Sequence, residues 1–289
     1  MKSCLILTLV LMLLVACGGA TKIAYVSTGD AIYIMNTDGS NQTRVTTDKH
    51  LRSLPCWSSD NKRLTFLSER DSQIRLVIID TDGSDETVIN LNIIPEVSQK
   101  NFDTLQIMPG CWSSKSDKIL VVVMLPYPTK SEGKIYEVTL KNSVAKLVIS
   151  NGNTPAWSPN GDRLVFHREE VAQIAKAGDG KILTKNLAAG YCTSWSPDGE
   201  KLVCFEDEED GSIFTINTDG TERTKIGLAP LDEGEQPLLP TWSPDGKKIL
   251  FSTVNKDNEC VTYTVNIDGS EQTRLLDRGD TCFGIYSIP

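Results

Sequence analysis

Residues 195–205 decide the fold, and they read WSPDGEKLVCF. A Trp-Ser pair leads into Pro197, Asp198 and Gly199, and residues that favour strands follow at 201–205. Proline fixes φ and glycine accepts positive φ, so these three residues favour a tight turn. The stretch therefore predicts a β-hairpin whose first strand ends at Trp195.

The same pattern recurs five times and uses every tryptophan of the chain. The tryptophans are spaced by 55, 45, 38 and 47 residues, at Trp57, Trp112, Trp157, Trp195 and Trp242. A strand-like run follows each copy. Self-similarity at such a period is the mark of a repeat architecture.

A second hairpin signal, Asp-Gly between two β-rich runs, follows each copy. It covers residues 32–46, 75–89, 212–226 and 262–276, and weaker versions lie at 134–149 and 171–185. Each repeat therefore has four strands in an up-and-down meander, which we label a, b, c and d. Such units predict an all-β fold, a β-propeller of four-stranded antiparallel blades. No ten-residue segment keeps an unbroken helical period, so helices are not expected.

The Asp-Gly hairpins and their variants number six and the Trp motifs five, and the two ends of the repeat region account for the difference. Residues 22–28 have the pattern of a strand b whose strand a is missing. Residues 281–286 have the pattern of that strand a, with Phe283 in the tryptophan position. We therefore predict six blades, with the C-terminal strand joining the N-terminal blade to close the ring. The predicted blades are 22–47 with 281–286, then 54–90, 107–150, 154–186, 191–227 and 238–277.

The WSPDG turns, the strands after them and the DGS hairpins resemble the WD-like repeats of the TolB family. They are also similar to the propellers that precede prolyl-oligopeptidase catalytic domains. The resemblance covers nearly all of residues 22–289 and implies a single propeller domain there. The α/β domain that precedes the TolB propeller, and that contributes to Tol-system interactions, has no counterpart in residues 1–21. Because one fold hosts many functions, the motif is specific for fold and not for activity.

Residues 1–16 predict an export signal. A basic start at Lys2 precedes LILTLVLMLLVA at residues 5–16, which is shorter than the stretch of about 20 residues that spans a bilayer. The sequence LVAC that ends at Cys17 resembles the bacterial lipoprotein box. The resemblance implies cleavage before Cys17, lipid attachment to it and a short tether at 17–21.

An ordinary secretory signal, cleaved near Ala16 or Ala20, is the alternative. Gly18 after the cysteine favours, by the same resemblance, the outer membrane if the host is Gram-negative. Acyl chains on Cys17 would anchor the protein to the cell envelope.

Nothing in the sequence predicts catalysis. It contains no nucleophile elbow, zinc-protease helix, Walker loop or dinucleotide-binding glycine motif. Its two histidines, His50 and His167, are interpreted as ordinary surface or blade residues. We therefore predict a non-catalytic protein without a cofactor. The alternative is an envelope carbohydrate-active enzyme, or a ligand- or metal-binding propeller, with its site in the central channel.

The repeated tryptophans and aspartates each have two interpretations. The tryptophans could form a sugar-stacking ring, but an aromatic residue repeated at one strand position packs between sheets, which we favour. The run DTDGSD at 80–85 could bind a divalent cation such as calcium, but it lacks the spacing and terminal glutamate of an EF-hand. A hairpin turn accounts for the same residues.

The cysteines of the exported domain can form disulfides, although the sequence alone does not determine how they pair. A turn centred on the aspartate of residues 195–205 would place Cys192 and Cys204 opposite each other across strands a and b. This pair is therefore a candidate disulfide. Cys56, Cys111 and Cys282 occupy one equivalent position in three blades and are interpreted as buried thiols.

The two faces of the predicted ring differ. The a–b and c–d turns share one face, which we call the turn face, and they are stereotyped. The b–c and d–a connections share the other, the loop face, which carries the irregular segments 90–106, 125–133, 206–211, 227–238 and 254–259. Function usually lies on variable loops held by a rigid scaffold, so we predict binding at the loop face. The tether enters strand b of blade 1 from the turn face, so the anchor is expected to hold that face towards the membrane.

The chain carries 29 Lys and Arg against 38 Asp and Glu, a formal charge of −9, which makes it a poor candidate for nucleic-acid binding. The loops of blades 5 and 6 hold much of this charge. The predicted acidic patch comprises Glu206, Asp207, Glu208, Glu209, Asp210, Asp232, Glu233 and Glu235. It is interpreted either as a solvated rim or as a docking patch for a divalent cation or a basic envelope protein or peptide. We expect a monomeric propeller that meets the membrane only through its anchor.

Overall fold

Six sheets of four antiparallel strands make up the computed structural model, and each sheet is one blade. The structure describes residues 22–27, 31–46, 55–70, 73–99, 106–124, 133–169, 171–206, 211–232, 235–254, 260–276 and 281–286. Within these ranges the predicted all-β, six-bladed propeller is confirmed.

The strands run in the order that the repeats predict. They are β1 (Lys22–Ser27), β2 (Ala31–Asn36), β3 (Thr43–Arg44), β4 (Cys56–Trp57), β5 (Arg63–Arg70), β6 (Gln73–Asp80), β7 (Thr87–Asn90), β8 (Gln106–Trp112), β9 (Lys118–Met124), β10 (Gly133–Thr139), β11 (Val144–Ile149), β12 (Asn153–Trp157), β13 (Arg163–Arg168), β14 (Val171–Lys176), β15 (Ile182–Ala189), β16 (Tyr191–Trp195), β17 (Lys201–Glu206), β18 (Ser212–Asn217), β19 (Thr224–Lys225), β20 (Gln236–Trp242), β21 (Lys248–Val254), β22 (Cys260–Asn266), β23 (Thr273–Leu276) and β24 (Thr281–Tyr286). Blades 2 to 6 are β4–β7, β8–β11, β12–β15, β16–β19 and β20–β23.

Blade 1 is completed by the C-terminal strand, as predicted. Its strand order is β24-β1-β2-β3, and β24 is antiparallel to β1 with a bulge between Tyr25 and Val26. The two ends of the repeat region therefore lie in one sheet. This closure gives β1 a partner on both sides and removes an exposed inner edge.

One connection contains helix, which the sequence pattern did not predict. A 3₁₀ turn at Leu91–Ile93 and a helix, α1 (Pro95–Gln99), lie between β7 and β8. The side chains of Leu91, Ile94 and Val97 are buried in the core between blades. A helix of five residues is less than two turns, so it is too short to show a periodic pattern.

Strand a of each blade lies nearest the axis of the ring, and strand d lies at the periphery. Strands a of neighbouring blades meet where the Thr193 hydroxyl donates a hydrogen bond to the carbonyl of Pro240, 2.6 Å away. Outer strands such as β11 expose most of their side chains. The hydrophobic core is formed between the blades, because each main cluster combines residues of neighbouring sheets.

The repeated tryptophans pack between blades and are all buried, with 8% exposure or less. The indole of Trp195 donates to the carbonyl of Ala156 in the preceding blade, at 3.1 Å. The guanidinium of Arg163, also in the preceding blade, lies 4.9 Å from the centroid of the Trp195 ring. Arg63 lies over Trp112 in the same way, at 4.8 Å. The packing interpretation is therefore confirmed, and a cation–π contact adds to it.

The repeated serines and aspartates are bonded within their own turns. In blade 5 the Ser196 hydroxyl donates to Asp198 at 2.6 Å and accepts from the N–H of Lys201 at 2.8 Å. In blade 1 one oxygen of Asp38 accepts from the hydroxyl and the N–H of Ser40, at 2.6 and 2.9 Å. These hydrogen bonds hold the pKa of Asp38 and of Asp198 below the usual value. The hairpin interpretation of the repeated aspartates is therefore confirmed.

Gly180 fixes the contact between the c–d turn of blade 4 and the outer strand of blade 3. Its φ is +68°, and a Cβ there would lie 2.0 Å from the carbonyl oxygen of Val148. Gly178, in the same turn, has a φ of +81° and open space around it. We expect Gly180→Ala to lower the free energy of unfolding by about 3 kcal/mol and Gly178→Ala by about 1 kcal/mol. Urea unfolding measures both, and equal losses would show that this inter-blade contact imposes no constraint.

Candidate functional site

The strands end so that stereotyped turns and irregular connections fall on opposite faces. β1 begins on the turn face, because Lys22 pairs with Asn36, the residue that leads into the first c–d turn. The strands that flank residues 91–105, 207–211 and 226–235 end on the loop face. The loop face is therefore the candidate functional site. Cys17 and its tether lie outside the described residues.

Glu206, the first residue of the predicted acidic patch, is bonded to a neighbouring arginine. It ends β17 at the loop face, where one carboxylate oxygen forms an ion pair with Arg223. The other oxygen accepts from the Ser212 hydroxyl at 2.9 Å. The guanidinium of Arg223 also lies 3.8 Å from the centroid of the Phe214 ring. The bond from Arg223 holds the pKa of Glu206 below its usual value, so the carboxylate is ionised but compensated.

Two more residues of the predicted patch are described, and they differ in exposure. Asp232 is exposed, whereas Glu235 is buried. The Thr253 hydroxyl, itself fully buried, donates to Glu235 Oε2 at 3.0 Å. Glu235 therefore fastens the connection before β20 to strand β21, and its assignment to an exposed patch was wrong. The patch residues Asp207, Glu208, Glu209, Asp210 and Glu233 lie outside the described residues.

A glutamate, a lysine and a tyrosine tie α1 to blade 3 on the loop face. Glu96 accepts from Lys134 Nζ at 2.6 Å and from the Tyr136 hydroxyl at 2.5 Å. Burial, followed by the bond to Glu96, raises the pKa of Tyr136, which keeps its hydroxyl a donor. This connection is therefore a fixed part of the loop face. This cluster was not predicted, because Glu96 and Lys134 are 38 residues apart and form no motif.

His167 is fully buried in strand b of blade 4 and links blades 4 and 5. Its Nε2 accepts from the N–H of Cys192 at 2.8 Å, so the ring proton must be on Nδ1. Nδ1 then donates to Thr154 Oγ1, 2.6 Å away. Burial lowers the pKa of His167 to about 4, which keeps the ring neutral. The interpretation as an ordinary blade residue is confirmed for His167, and His50 lies outside the described residues.

Cys192 and Cys204 form a disulfide across strands a and b of blade 5, as the hairpin predicted. The prediction assumed a turn centred on the aspartate, but next to the turn Trp195 pairs with Leu202, one residue out of that register. A bulge at Thr193 restores the predicted alignment. The two cysteines therefore face each other because of a bulge that the sequence did not indicate.

Cation ligands do not converge in the described part of the ring. No group of three or more His, Cys, Asp or Glu side chains that could hold a metal ion occurs among the described residues. Cys56 is buried, while the side chains of Cys111 and Cys282 lie outside the described residues. Across the described ranges, no helix is long and apolar enough to cross a membrane.

The closed ring of six four-stranded blades defines the class of protein, a six-bladed β-propeller. No protein-family model and no curated protein matches the sequence. Solved structures do match. TolB from Acinetobacter baumannii is similar with a TM-score of 0.71 at 17% identity, over 93% of this chain and 67% of that one. A putative TolB from Agrobacterium tumefaciens is similar with a TM-score of 0.63 at 18% identity, over 91% of each chain.

The chain therefore has the fold of the TolB propeller. An oligogalacturonate lyase in complex with manganese is also similar, with a TM-score of 0.58 at 15% identity, over 85% of this chain and 70% of that one. At these identities the likenesses show the fold alone. The same blade arrangement thus occurs in TolB structures and in an enzyme.

Proposed function

We propose that the chain is a non-catalytic, lipid-anchored TolB-like propeller that binds a protein or peptide partner in the bacterial cell envelope. The observation that carries this proposal is the division of the ring into two faces. The irregular connections join strands that end on the loop face, and β1 begins on the turn face. An anchor at Cys17 would leave the loop face turned away from the membrane and open to a partner.

The sequence concentrates acidic residues directly after Glu206. Residues 207–210 read DEED, whereas the carboxylate of Glu206 is compensated by Arg223 and that of Glu235 is buried. Asp232 adds an exposed carboxylate on the neighbouring connection. Charges of one sign at a rim raise association rates and set specificity more than they raise affinity. The expected partner is therefore a basic protein or peptide.

The alternative function is an envelope carbohydrate-active enzyme, or a metal-binding propeller, with its site in the central channel. The fold likeness to a lyase solved with manganese favours this candidate. It requires carboxylate or imidazole ligands for a divalent cation. Elemental analysis of the purified full chain distinguishes the two candidates, because a stoichiometric divalent metal without a protein partner supports the channel site.

Purification of the tagged full chain from solubilised membranes tests the partner. We expect one protein in stoichiometric amount, with an association rate about tenfold lower when D207N, E208Q, E209Q and D210N are combined. A control variant neutralises three exposed carboxylates of the turn face, Asp85, Glu86 and Glu200, against four in the patch. An association rate that is unchanged in the first variant, or that falls equally in the control, contradicts the acidic docking patch.

A further inference from the structure

Blades 3 and 4 differ in charge from the rest of the turn face. In blades 1, 2, 5 and 6 the c–d turn contains an Asp-Gly-Ser or Asp-Gly-Thr motif, but in blade 3 it reads LKNS at 140–143. Residues 140–149 and 176–186, which form the c–d turns and outer strands of these two blades, hold one acidic residue, Asp179. They hold five lysines, Lys141, Lys146, Lys176, Lys181 and Lys185. A basic surface therefore lies on a chain whose net charge is −9.

The same two outer strands carry large apolar side chains in the solvent. Val144 and Leu147 on β11 are 51% and 42% exposed, and Leu183 on β15 is 50% exposed. These three are half of the large apolar residues that are exposed among the described residues. Apolar and basic side chains thus alternate along one edge of the ring, which we call the basic rim.

The basic rim is continuous from blade 3 to blade 4. Lys146 Nζ, from β11, donates to the carbonyl of Gly178 at 2.5 Å, and the N–H of Gly178 donates to Glu137 Oε1 at 2.7 Å. Gly180 packs against the carbonyl of Val148. These contacts join β11 to the turn that precedes β15, so the outer edges of blades 3 and 4 adjoin at this point.

We propose that the basic rim docks on the surface of an anionic lipid bilayer. Exposed aliphatic side chains between lysines suit the boundary between headgroups and acyl chains, where the lysine stems lie along the apolar layer. Charge complementarity favours this surface, because each basic residue near an anionic leaflet strengthens docking about fivefold. β1 begins on the turn face, so a tether at Cys17 would enter the ring from the face that carries the c–d turns of the rim.

The docked orientation rests on the proposed function and deepens it, and it adds a second membrane contact to the anchor, which the sequence predicted as the only one. A tether at one blade leaves the ring free to tilt, whereas a second contact at blades 3 and 4 fixes how the ring lies on the membrane. The acidic connections of blades 5 and 6 are then held on the face directed away from the anionic lipids. In this orientation the acidic connections are accessible to a basic partner.

Hydrogen–deuterium exchange of the full chain on vesicles tests the inference. One set contains phosphatidylcholine alone and the other adds about 30% phosphatidylglycerol. We expect slower exchange over 140–149 and 176–186 only with the anionic lipid. Combining Lys141→Gln and Lys181→Gln is expected to lower the docking equilibrium roughly 25-fold, whereas the two Lys→Arg changes keep it. Leu147→Ser combined with Leu183→Ser is expected to remove the protection.

A matched control and a second readout keep the test decisive. Lys247→Gln combined with Ile267→Ser changes an exposed lysine and a 45% exposed apolar residue on the turn face of blade 6, and it should leave the protection intact. The inference is overturned if anionic vesicles do not slow exchange over the rim, or if they slow it equally in the Lys→Gln variant. It is also overturned if soluble polyglutamate slows exchange and vesicles do not. If a partner is captured but vesicles do not protect the rim, only the docking of the rim is contradicted. If vesicles protect the rim but no partner is captured, only the proposed partner-binding function is contradicted.

Discussion

Deleting the closing strand is expected to unfold the propeller. A chain that ends at residue 280 lacks β24, so β1 loses its partner along the five paired positions from Ile23 to Ser27. Ile23, Ala24 and Tyr25 are buried and would become part of an open inner edge. Backbone hydrogen bonds contribute about 1 kcal/mol each, so the loss is on the order of 5 kcal/mol before apolar exposure is added. That loss is comparable with the whole stability of a domain.

Circular dichroism during urea unfolding measures the effect of this deletion. A chain that ends at residue 286 is the matched control, because it keeps β24 and should unfold as the full chain does. A peptide of residues 277–289, added to the shortened chain, is expected to restore part of the stability by pairing with β1. If the shortened chain keeps a cooperative transition at the same urea concentration, the ring does not depend on closure by β24.

The fold was predictable because each blade repeats the same short turn motifs. Turn chemistry next to Trp195 fixes one hairpin, and the Asp-Gly motif fixes the second, so strand order follows without knowledge of long-range contacts. The predicted start of blade 4 at 154 differs by one residue from Asn153, where β12 begins. Ring closure was predictable by counting motifs. Six hairpins and five Trp motifs leave one strand b without a strand a at the N-terminal end and one unpaired strand a at the C-terminal end.

The contacts between blades were not predictable in the same way. Arg163 over Trp195 and Gly180 against Val148 join segments that are close only after the blades have stacked. One signal was present, because a basic residue lies six positions after each repeated tryptophan, at Arg63, Lys118, Arg163, Lys201 and Lys248. Arg63 and Arg163 stack on the tryptophan of the next blade, so the spacing within one repeat does not show that contact. The three lysines at this position instead form ion pairs with a glutamate of their own blade.

The side of the ring that carries the candidate site was predictable, but the exposure and pairing of its individual residues were not. Alternating strand direction is enough to place the irregular connections on one side of the ring. A sum of charges cannot show that Glu235 is buried with Thr253, 18 residues away, or that Arg223 compensates Glu206. Burial and pairing depend on how a connection lies on the blade, which the residue types alone do not determine.

Acid is expected to destabilise the protein through His167. Its pKa is about 4 in the folded protein and about 6.5 in an unfolded chain. Between these values the unfolded chain binds a proton that the folded protein excludes, so the free energy of unfolding falls as the pH falls from 6.5 towards 4. The full difference corresponds to about 3 kcal/mol, and above pH 6.5 this term no longer changes. The turn aspartates, such as Asp38 and Asp198, have pKa values below 3.8, so their contribution is lost only in stronger acid.

Urea unfolding at pH 6.5 and pH 4.5 measures this loss, and His167→Gln isolates its source. Burial opposes the charge of a protonated ring, and its second N–H would also face the N–H of Cys192, so the bond that Nε2 accepts would be lost. The variant is expected to lose about 2 kcal/mol at pH 7, because it forfeits buried hydrogen bonds, yet to change little between the two pH values. His50→Gln reports the contribution of the other histidine. If His167→Gln keeps the pH dependence of the natural chain, the neutral imidazole between Cys192 and Thr154 is not the group that titrates.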